Sequence, residues 1–265
     1  MIIDLQGQVC VLTGAGRGIG REILEMFVAE GVKVYCLDAN PDDVADLNKW
    51  AGAFPDQVVA EVVDVRDLSQ VRSAVERAVA QWGRVDILVN NAGVGGNGTV
   101  EELTEDQWDL CMDVNVKGVF ATCQAVIPHM KKQQYGRIIN AASFAAIVPM
   151  VGSAAYAASK SAVVQFSRTL AGELGPYNIT VNSYAPGMIP TTLNSFAEAD
   201  GEVKEELLNT LTLRRWGDRK DIGRLLCFLA SDAASYITGT LVDISGGKLA
   251  TQVPARAYSW AGLES

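Results

Sequence analysis

The run Val9-Cys10-Val11-Leu12-Thr13-Gly14-Ala15-Gly16-Arg17-Gly18-Ile19-Gly20 decides the fold of this chain. Its apolar start reads as a strand. Beyond the glycines, Glu22-Ile23-Leu24-Glu25-Met26-Phe27-Val28 has helical periodicity. A glycine-rich turn between strand and helix lets the backbone approach a pyrophosphate, and the helix N-terminus supplies oriented N–H groups. In that context a nucleotide site is the expected reading. The spacing is Gly-x-x-x-Gly-x-Gly rather than the commoner Gly-x-Gly-x-x-Gly.

The alternation continues along the chain. Predicted strands are Val9–Thr13, Lys33–Asp38, Val58–Asp64, Ile87–Asn91, Arg137–Ala142, Thr180–Ala185 and Leu241–Ile244. Predicted helices are Gly18–Glu30, Pro41–Trp50, Leu68–Trp82, Glu105–Lys132, Ser153–Leu174, Ala197–Leu211 and Lys220–Ser231. The pattern predicts an α/β fold, a doubly wound parallel sheet of seven strands with helices on both faces. Without repeats or a linker, residues 1–265 read as one domain. Such a sheet binds dinucleotide beyond the carboxyl ends of its strands, where the strand order reverses. Two segments break the pattern. Residues 187–213 form a long insertion, expected to be functional. The tail 248–265 carries Tyr258, Trp260 and Leu263, too apolar for a solvated appendage, and is expected to dock.

Composition narrows the function. With 265 residues and 49% hydrophobic content, the chain can bury a large core. Acidic side chains outnumber basic ones 31 to 22, a net charge of -9, which argues against nucleic-acid or anionic-membrane partners. No apolar run is expected to span a bilayer, and the start Met1-Ile2-Ile3-Asp4-Leu5 lacks signal-peptide character. Cys10, Cys36, Cys111, Cys123 and Cys227 are scattered through apolar stretches and read as buried, reduced thiols of a cytoplasmic protein. The single histidine, His129, reads as a helix-end residue, which argues against a Ser-His-Asp hydrolase and a catalytic zinc site.

The chemistry points to Tyr156-Ala157-Ala158-Ser159-Lys160. Four residues apart on a helix, the phenol and the ammonium project from one face. An ammonium beside a phenol favours the phenolate and is expected to lower the phenol's pKa. A tyrosine poised in that way can exchange a proton with an alcohol or a ketone. Asp38 ends the second strand about twenty residues beyond the glycine turn, where a carboxylate can accept from the ribose hydroxyls of NAD and would repel the phosphate of NADP. Arg17 within the turn is a mild counter-signal. Ser153, three residues before Tyr156, reads as a helix N-cap.

The sequence resembles the short-chain dehydrogenase/reductase family over nearly its whole length, in the short single-domain form with a Rossmann sheet. The resemblance rests on Thr13 to Gly20, on Asn90-Asn91-Ala92-Gly93, on the ordered set Asn115, Ser143, Tyr156 and Lys160, and on Asn182, Pro186-Gly187 and Thr191. It implies an NAD(H)-dependent oxidoreductase interconverting a secondary alcohol and a ketone by direct hydride transfer, without a metal. Tyr156 would be the general acid/base, Lys160 would lower its pKa and hold the nicotinamide ribose, and Ser143 would bind the substrate oxygen. Asn115 would interrupt its helix and hold a relay water. Cofactor contacts would come from Gly14, Arg17, Gly18, Ile19, Gly20, Asp38, Asp64, Val65, Asn91, Ala92, Gly93, Tyr156, Lys160, Pro186, Gly187, Ile189 and Thr191. The resemblance also implies a homotetramer.

The substrate is read less directly. Phe144, Ile147, Val148, Met150, Met188, Ile189, Leu193 and Phe196 are candidate pocket residues, and no Lys or Arg lies between Gly187 and Val203. A small ketone or secondary alcohol of modest polarity is expected, with a polyol or sugar as a further option. A 3-oxoacyl-carrier-protein reductase is the nearest rival. Those enzymes mostly use NADP and dock an acidic carrier on basic residues, where this chain has Gly172 and glutamine after Lys131-Lys132. A non-catalytic dinucleotide sensor is the rival from another class; such proteins tend to lose the tyrosine or lysine kept here.

Overall fold

Within β1 (Val9–Thr13), Cys10 and Leu12 enter one apolar layer and Val11 the other, as the two-residue period of a strand requires. A strand buried on both faces belongs to the middle of a sheet. A computed structural model describes residues 3–191 and 196–263. Its sheet contains β2 (Lys33–Asp38), β3 (Val58–Val62), β4 (Ile87–Asn90), β5 (Gly136–Ala141), β6 (Ile179–Pro186) and β7 (Leu241–Ile244) besides β1. The seven strands pair in the order β3-β2-β1-β4-β5-β6-β7, and every pairing is parallel. The direction of winding reverses between β1 and β4, with Thr13 beside Asn90.

Helices cover both faces. Against one face, Leu24 and Phe27 of α1 (Gly18–Ala29) pack with Ile222 and Leu226 of α8 (Arg219–Ala230), while Leu47 of α2 (Pro41–Ala51) joins the same layer. The opposite layer holds Val71 and Val75 of α3 (Leu68–Trp82), Val126 of α5 (Gly118–Gln133) and Val163 of α6 (Ala154–Leu174). Capping fixes the starts of several helices. Asp67 accepts from Ser69 N and Gln70 N, and Asn40 accepts from Asp42 N ahead of Pro41.

The predicted helix Glu105–Lys132 is three pieces. After α4 (Glu105–Met112), a π-helical turn spans Asp113–Lys117 and leads into α5. By length and composition, Glu105–Gln133 is long and apolar enough to cross a bilayer, contrary to the expectation that no segment would be. Half of that apolar stretch is buried inside the domain, where α5 packs on α3 and α4 on α6. The predicted helix Ala197–Leu211 is also shorter. A 3-10 turn at Phe196–Glu198 precedes α7 (Gly201–Leu208), whose first residue has φ of +52°, so the chain restarts rather than continues there. The tail forms α9 (Arg256–Trp260). All five cysteines are buried and free.

Candidate active site

Two adjoining clefts at the carboxyl ends of the strands share Gly14, Arg17, Ala92 and Gly93, so they form one groove. One end, about 300 Å³, is lined by Asp38, Asp64, Val65 and Arg66. The other, about 240 Å³, is lined by Gly18, Ile19, Asn91, Ser143, Tyr156, Lys160, Pro186, Gly187, Ile189 and Thr191. Of the predicted catalytic and cofactor residues, only Gly20 and Asn115 lie outside these linings. Leu193 falls outside the described residues.

The floor of the groove requires its glycines. Gly14 has φ of +64°, and a Cβ there would stand 2.8 Å from Ala92 Cα. A Cβ on Gly20 would lie 1.9 Å from Gly14 O, so Gly20 serves the packing of helix on turn. Thr13 Oγ1 accepts from both Asn91 N and Ala92 N at 3.1 Å, and Asn91 Nδ2 donates to Gly14 O at 2.9 Å. Below them Thr122 donates to Asn90, Asn90 to Asn140, and Asn140 to Ser167, a buried chain joining α5, β4, β5 and α6.

These surroundings fit a dinucleotide. The N-terminus of α1 faces the groove with no side-chain cap and no acidic residue in its first turn, leaving its N–H groups for a pyrophosphate. Asp38 is fixed at the far end, accepting from Gly16 N at 2.9 Å and from Asn40 N at 3.0 Å. Arg17 reaches Asp43, with Nε 3.7 Å from Oδ2, so an acid already accompanies its charge. Arg66 donates from Nε to Asp64 Oδ1 and from Nη2 to Oδ2, a bidentate contact that holds the Asp64 carboxyl below the usual carboxylate range.

Tyr156 and Lys160 occupy the first turns of α6. The Tyr156 hydroxyl is hydrogen-bonded to Ser143, and burial pushes its pKa upward against that bond. This corrects the expectation that Lys160 lowers it. The Lys160 ammonium sits 5.7 Å from the centroid of the Tyr156 ring and donates to Ala141 O at 2.8 Å. Burial lowers the Lys160 pKa to about 8. Ser143 caps the following 3-10 turn, accepting from Ala145 N at 3.1 Å, which orients its oxygen.

Asn115 sits in the π-helical turn, as an interrupted helix requires, and is fully buried. Its Oδ1 accepts from Val94 N at 2.9 Å, while its Nδ2 donates to Val94 O at 3.0 Å and to Ser159 Oγ at 2.9 Å. The amide is thus committed to locking this turn, the loop after β4 and α6 together. Ser153 does start α6, but its hydroxyl donates to Met150 O at 2.7 Å and does not cap the helix. Asn182 pins the chain before β7 through Ile237 O and Thr240 N. Among the pocket candidates, Ile189 lines the catalytic cleft and Met188 a neighbouring cavity. Met150 is largely exposed, and the Phe196 ring lies tilted against Trp216, centroids 5.2 Å apart.

Tyr184 and Arg66 are among the groove residues that leave no clear mark in the sequence. Tyr184 lines the catalytic cleft, with its hydroxyl donating to Asn91 Oδ1 at 3.2 Å, and Arg66 faces the far end. The only signal for Tyr184 was a large polar-tipped ring in an otherwise small-residue strand just before Pro186-Gly187.

A doubly wound sheet whose groove runs from a fixed carboxylate, past an uncapped glycine turn, to a Ser-Tyr-Lys constellation defines a dinucleotide-dependent oxidoreductase. The family described as "Enoyl-(Acyl carrier protein) reductase" matches residues 14–248. A 3-oxoacyl-[acyl-carrier-protein] reductase of Thermotoga maritima is 38% identical over 243 residues, covering 92% of this chain and 98% of that protein. Oxidoreductase UcpA of Salmonella typhimurium is 38% identical over 250 residues, covering 92% and 95%. A gluconate 5-dehydrogenase of Burkholderia cenocepacia, solved with NADP and tartrate, superposes with a TM-score of 0.89 at 31% identity, covering 94% of this chain and 98% of that one. The chain belongs to the short-chain dehydrogenase/reductase family.

Proposed function

We propose that this oxidoreductase uses NAD(H) to interconvert a secondary alcohol and a ketone, with Tyr156 as the general acid/base. The observation that carries the reading is the groove itself, with the fixed Asp38 carboxylate at one end and the Ser143–Tyr156 hydrogen bond at the other. The bound nicotinamide would supply or accept the hydride. The chain's own groups handle the rest. Ser143 holds the substrate oxygen, Tyr156 gives it or takes from it a proton, and the apolar wall at Ile189 limits water. Lys160 and Asn91 hold the dinucleotide's ribose and backbone from the floor. Asp38 disfavours the extra phosphate of NADP, a preference made worth testing by the NADP in the gluconate dehydrogenase structure.

The similarity to 3-oxoacyl-carrier-protein reductases supports a second reading, reduction of a 3-oxoacyl thioester with NADPH. Against it stand Asp38 and Gly172, an exposed position with open space above it that itself offers no base to an acidic carrier. A screen separates the two: NAD⁺ reduction with secondary alcohols, polyols and hydroxy acids, beside NADPH oxidation with a 3-oxoacyl thioester. We further propose a homo-oligomer, most simply a tetramer, and a cytoplasmic setting as for other family members. Support for association comes from Trp108 and Phe120, large side chains of α4 and α5 about 40% exposed on one chain.

A further inference from the structure

We propose that Lys248 recognises an anionic group of the substrate, so that the alcohol or ketone turned over here also carries a carboxylate. The inference rests on the oxidoreductase reading above and narrows its substrate class.

Position comes first. β7 ends at Ile244 beside Pro186 of β6, at the carboxyl edge of the sheet. The next residue, Ser245, packs so closely on the catalytic cleft that a Cβ on Gly187 would stand 2.5 Å from its Cα. The chain then turns through Gly246 and Gly247, both at positive φ, and Lys248 N donates to Ser245 Oγ at 3.1 Å. An antiparallel bridge from Lys248 to Leu211 holds the backbone against the insertion. From there the ammonium reaches the ring of Phe144, with Nζ 5.8 Å from its centroid. Phe144 directly follows Ser143, whose hydroxyl bonds that of Tyr156.

Charge comes second. Lys248 is half-buried, and burial is the one influence that moves its pKa, which falls. Among the described residues it belongs to no ion pair, whereas Arg214 and Arg215 nearby are matched to Glu205 and Asp221. A partly desolvated ammonium with only a ring for company is stabilised by an incoming anion. The absence of Lys and Arg between Gly187 and Val203 sets the size of that anion's charge. One ammonium matches a carboxylate, whereas a phosphate would call for further donors.

The test compares straight-chain oxo acids, from 2-oxobutanoate to 5-oxohexanoate, with their methyl esters, using NADH and NADPH. For the best acid, the wild-type ratio of acid to ester kcat/KM should exceed ten. Lys248→Met and Lys248→Gln should lower that ratio at least tenfold, through KM, while Lys248→Arg keeps it within about threefold. Melting curves establish that each variant is folded. A ratio unchanged in folded Lys248→Met and Lys248→Gln overturns the proposal, as does an equal loss for acid and ester. Should the wild type turn over neither compound, calorimetric titration of the same acids decides. Binding to wild type but not to Lys248→Met supports the anion site while counting against the oxidoreductase substrate reading. Equal binding, or none, overturns the role of Lys248.

Discussion

Asp38 Oδ2 accepts the Gly16 amide at 2.9 Å, which ties the carboxylate at the end of the second strand to the glycine turn of the first. The same bond positions the charge where a ribose 2′ substituent would lie. A hydroxyl can donate to it, whereas a phosphate meets repulsion. The expected outcome is a kcat/KM at least tenfold higher with NAD(H) than with NADP(H). Asp38→Ala should narrow or reverse that ratio, with some loss of stability because Gly16 N and Asn40 N lose their acceptor. A wild-type preference for NADPH would refute the assignment.

Tyr156→Phe keeps the ring and removes only the hydroxyl. Turnover should fall about 10²–10⁴-fold, the usual contribution of a positioned acid or base. Cofactor affinity, read by fluorescence titration, should stay within a few-fold of wild type. Because burial raises the Tyr156 pKa, the phenol predominates at neutral pH. Alcohol oxidation, which needs the phenolate, should therefore climb with pH, and ketone reduction, which needs the phenol, should fall as the group ionises. Oxidation profiles that are flat from pH 7 to 10 would remove Tyr156 from the proton-transfer role.

Lys160 offers a stability test free of catalysis. Its pKa in the fold is about 8, against 10.5 for an unburied lysine. Between those values the unfolded chain binds more protons than the folded one, so stability rises with pH across that window. The shift corresponds to about 3 kcal/mol. In Lys160→Met the term is absent. The stability of the variant relative to wild type should thus decline by roughly that amount from pH 7 to 11, measured by urea unfolding. A pH-independent difference would show that the ammonium is not desolvated.

Most of this architecture is legible in the residues, and for a physical reason. β1, β2 and β7 have their predicted limits because each is a short, mostly apolar run closed by a turn residue, Gly14 after β1, Asp38 at the end of β2 and Ser245 ahead of Gly246-Gly247 after β7. The site residues could be read because glycines at close approach and a Tyr-x-x-x-Lys helix face leave local signatures. What could not be read depends on contacts between distant segments. The length of the π-helical turn around Asn115 follows from its bonds to Val94 and Ser159. Lys160 one turn away reads as lowering the Tyr156 pKa, but burial of the phenol among segments distant in sequence raises it instead. The approach of Lys248 to Phe144 spans more than a hundred residues and leaves no periodic trace.

Association should involve the α4–α5 face. Trp108 and Phe120 are each about 40% exposed there, large apolar side chains that a second copy would cover. Light scattering at micromolar concentration should give a multiple of the 28.3 kDa chain, with four copies expected. Phe120→Glu should shift the mass downward. A monomer mass for the wild type would contradict this.

The tail makes a divided contribution. Tyr258 OH donates to Thr212 O at 2.9 Å, and the Arg214 guanidinium lies 5.5 Å from the centroid of its ring. Thr212 belongs to the insertion and Arg214 directly follows it, so α9 braces the end of that segment. Trp260 and Leu263, expected to dock as well, are 81% and 65% exposed on the single chain, which makes them candidates for contact with a neighbouring copy. Deleting residues after Ala250 removes the brace but keeps Lys248 and its bridge to Leu211. kcat/KM for substrate should fall several-fold, while NAD affinity and Tm change little, because neither the groove floor nor the two apolar layers include the tail. Tyr258→Phe, which loses only the bond to Thr212, should reproduce part of the loss. If the truncated protein kept the wild-type kcat/KM, the tail would have no part in closing the site.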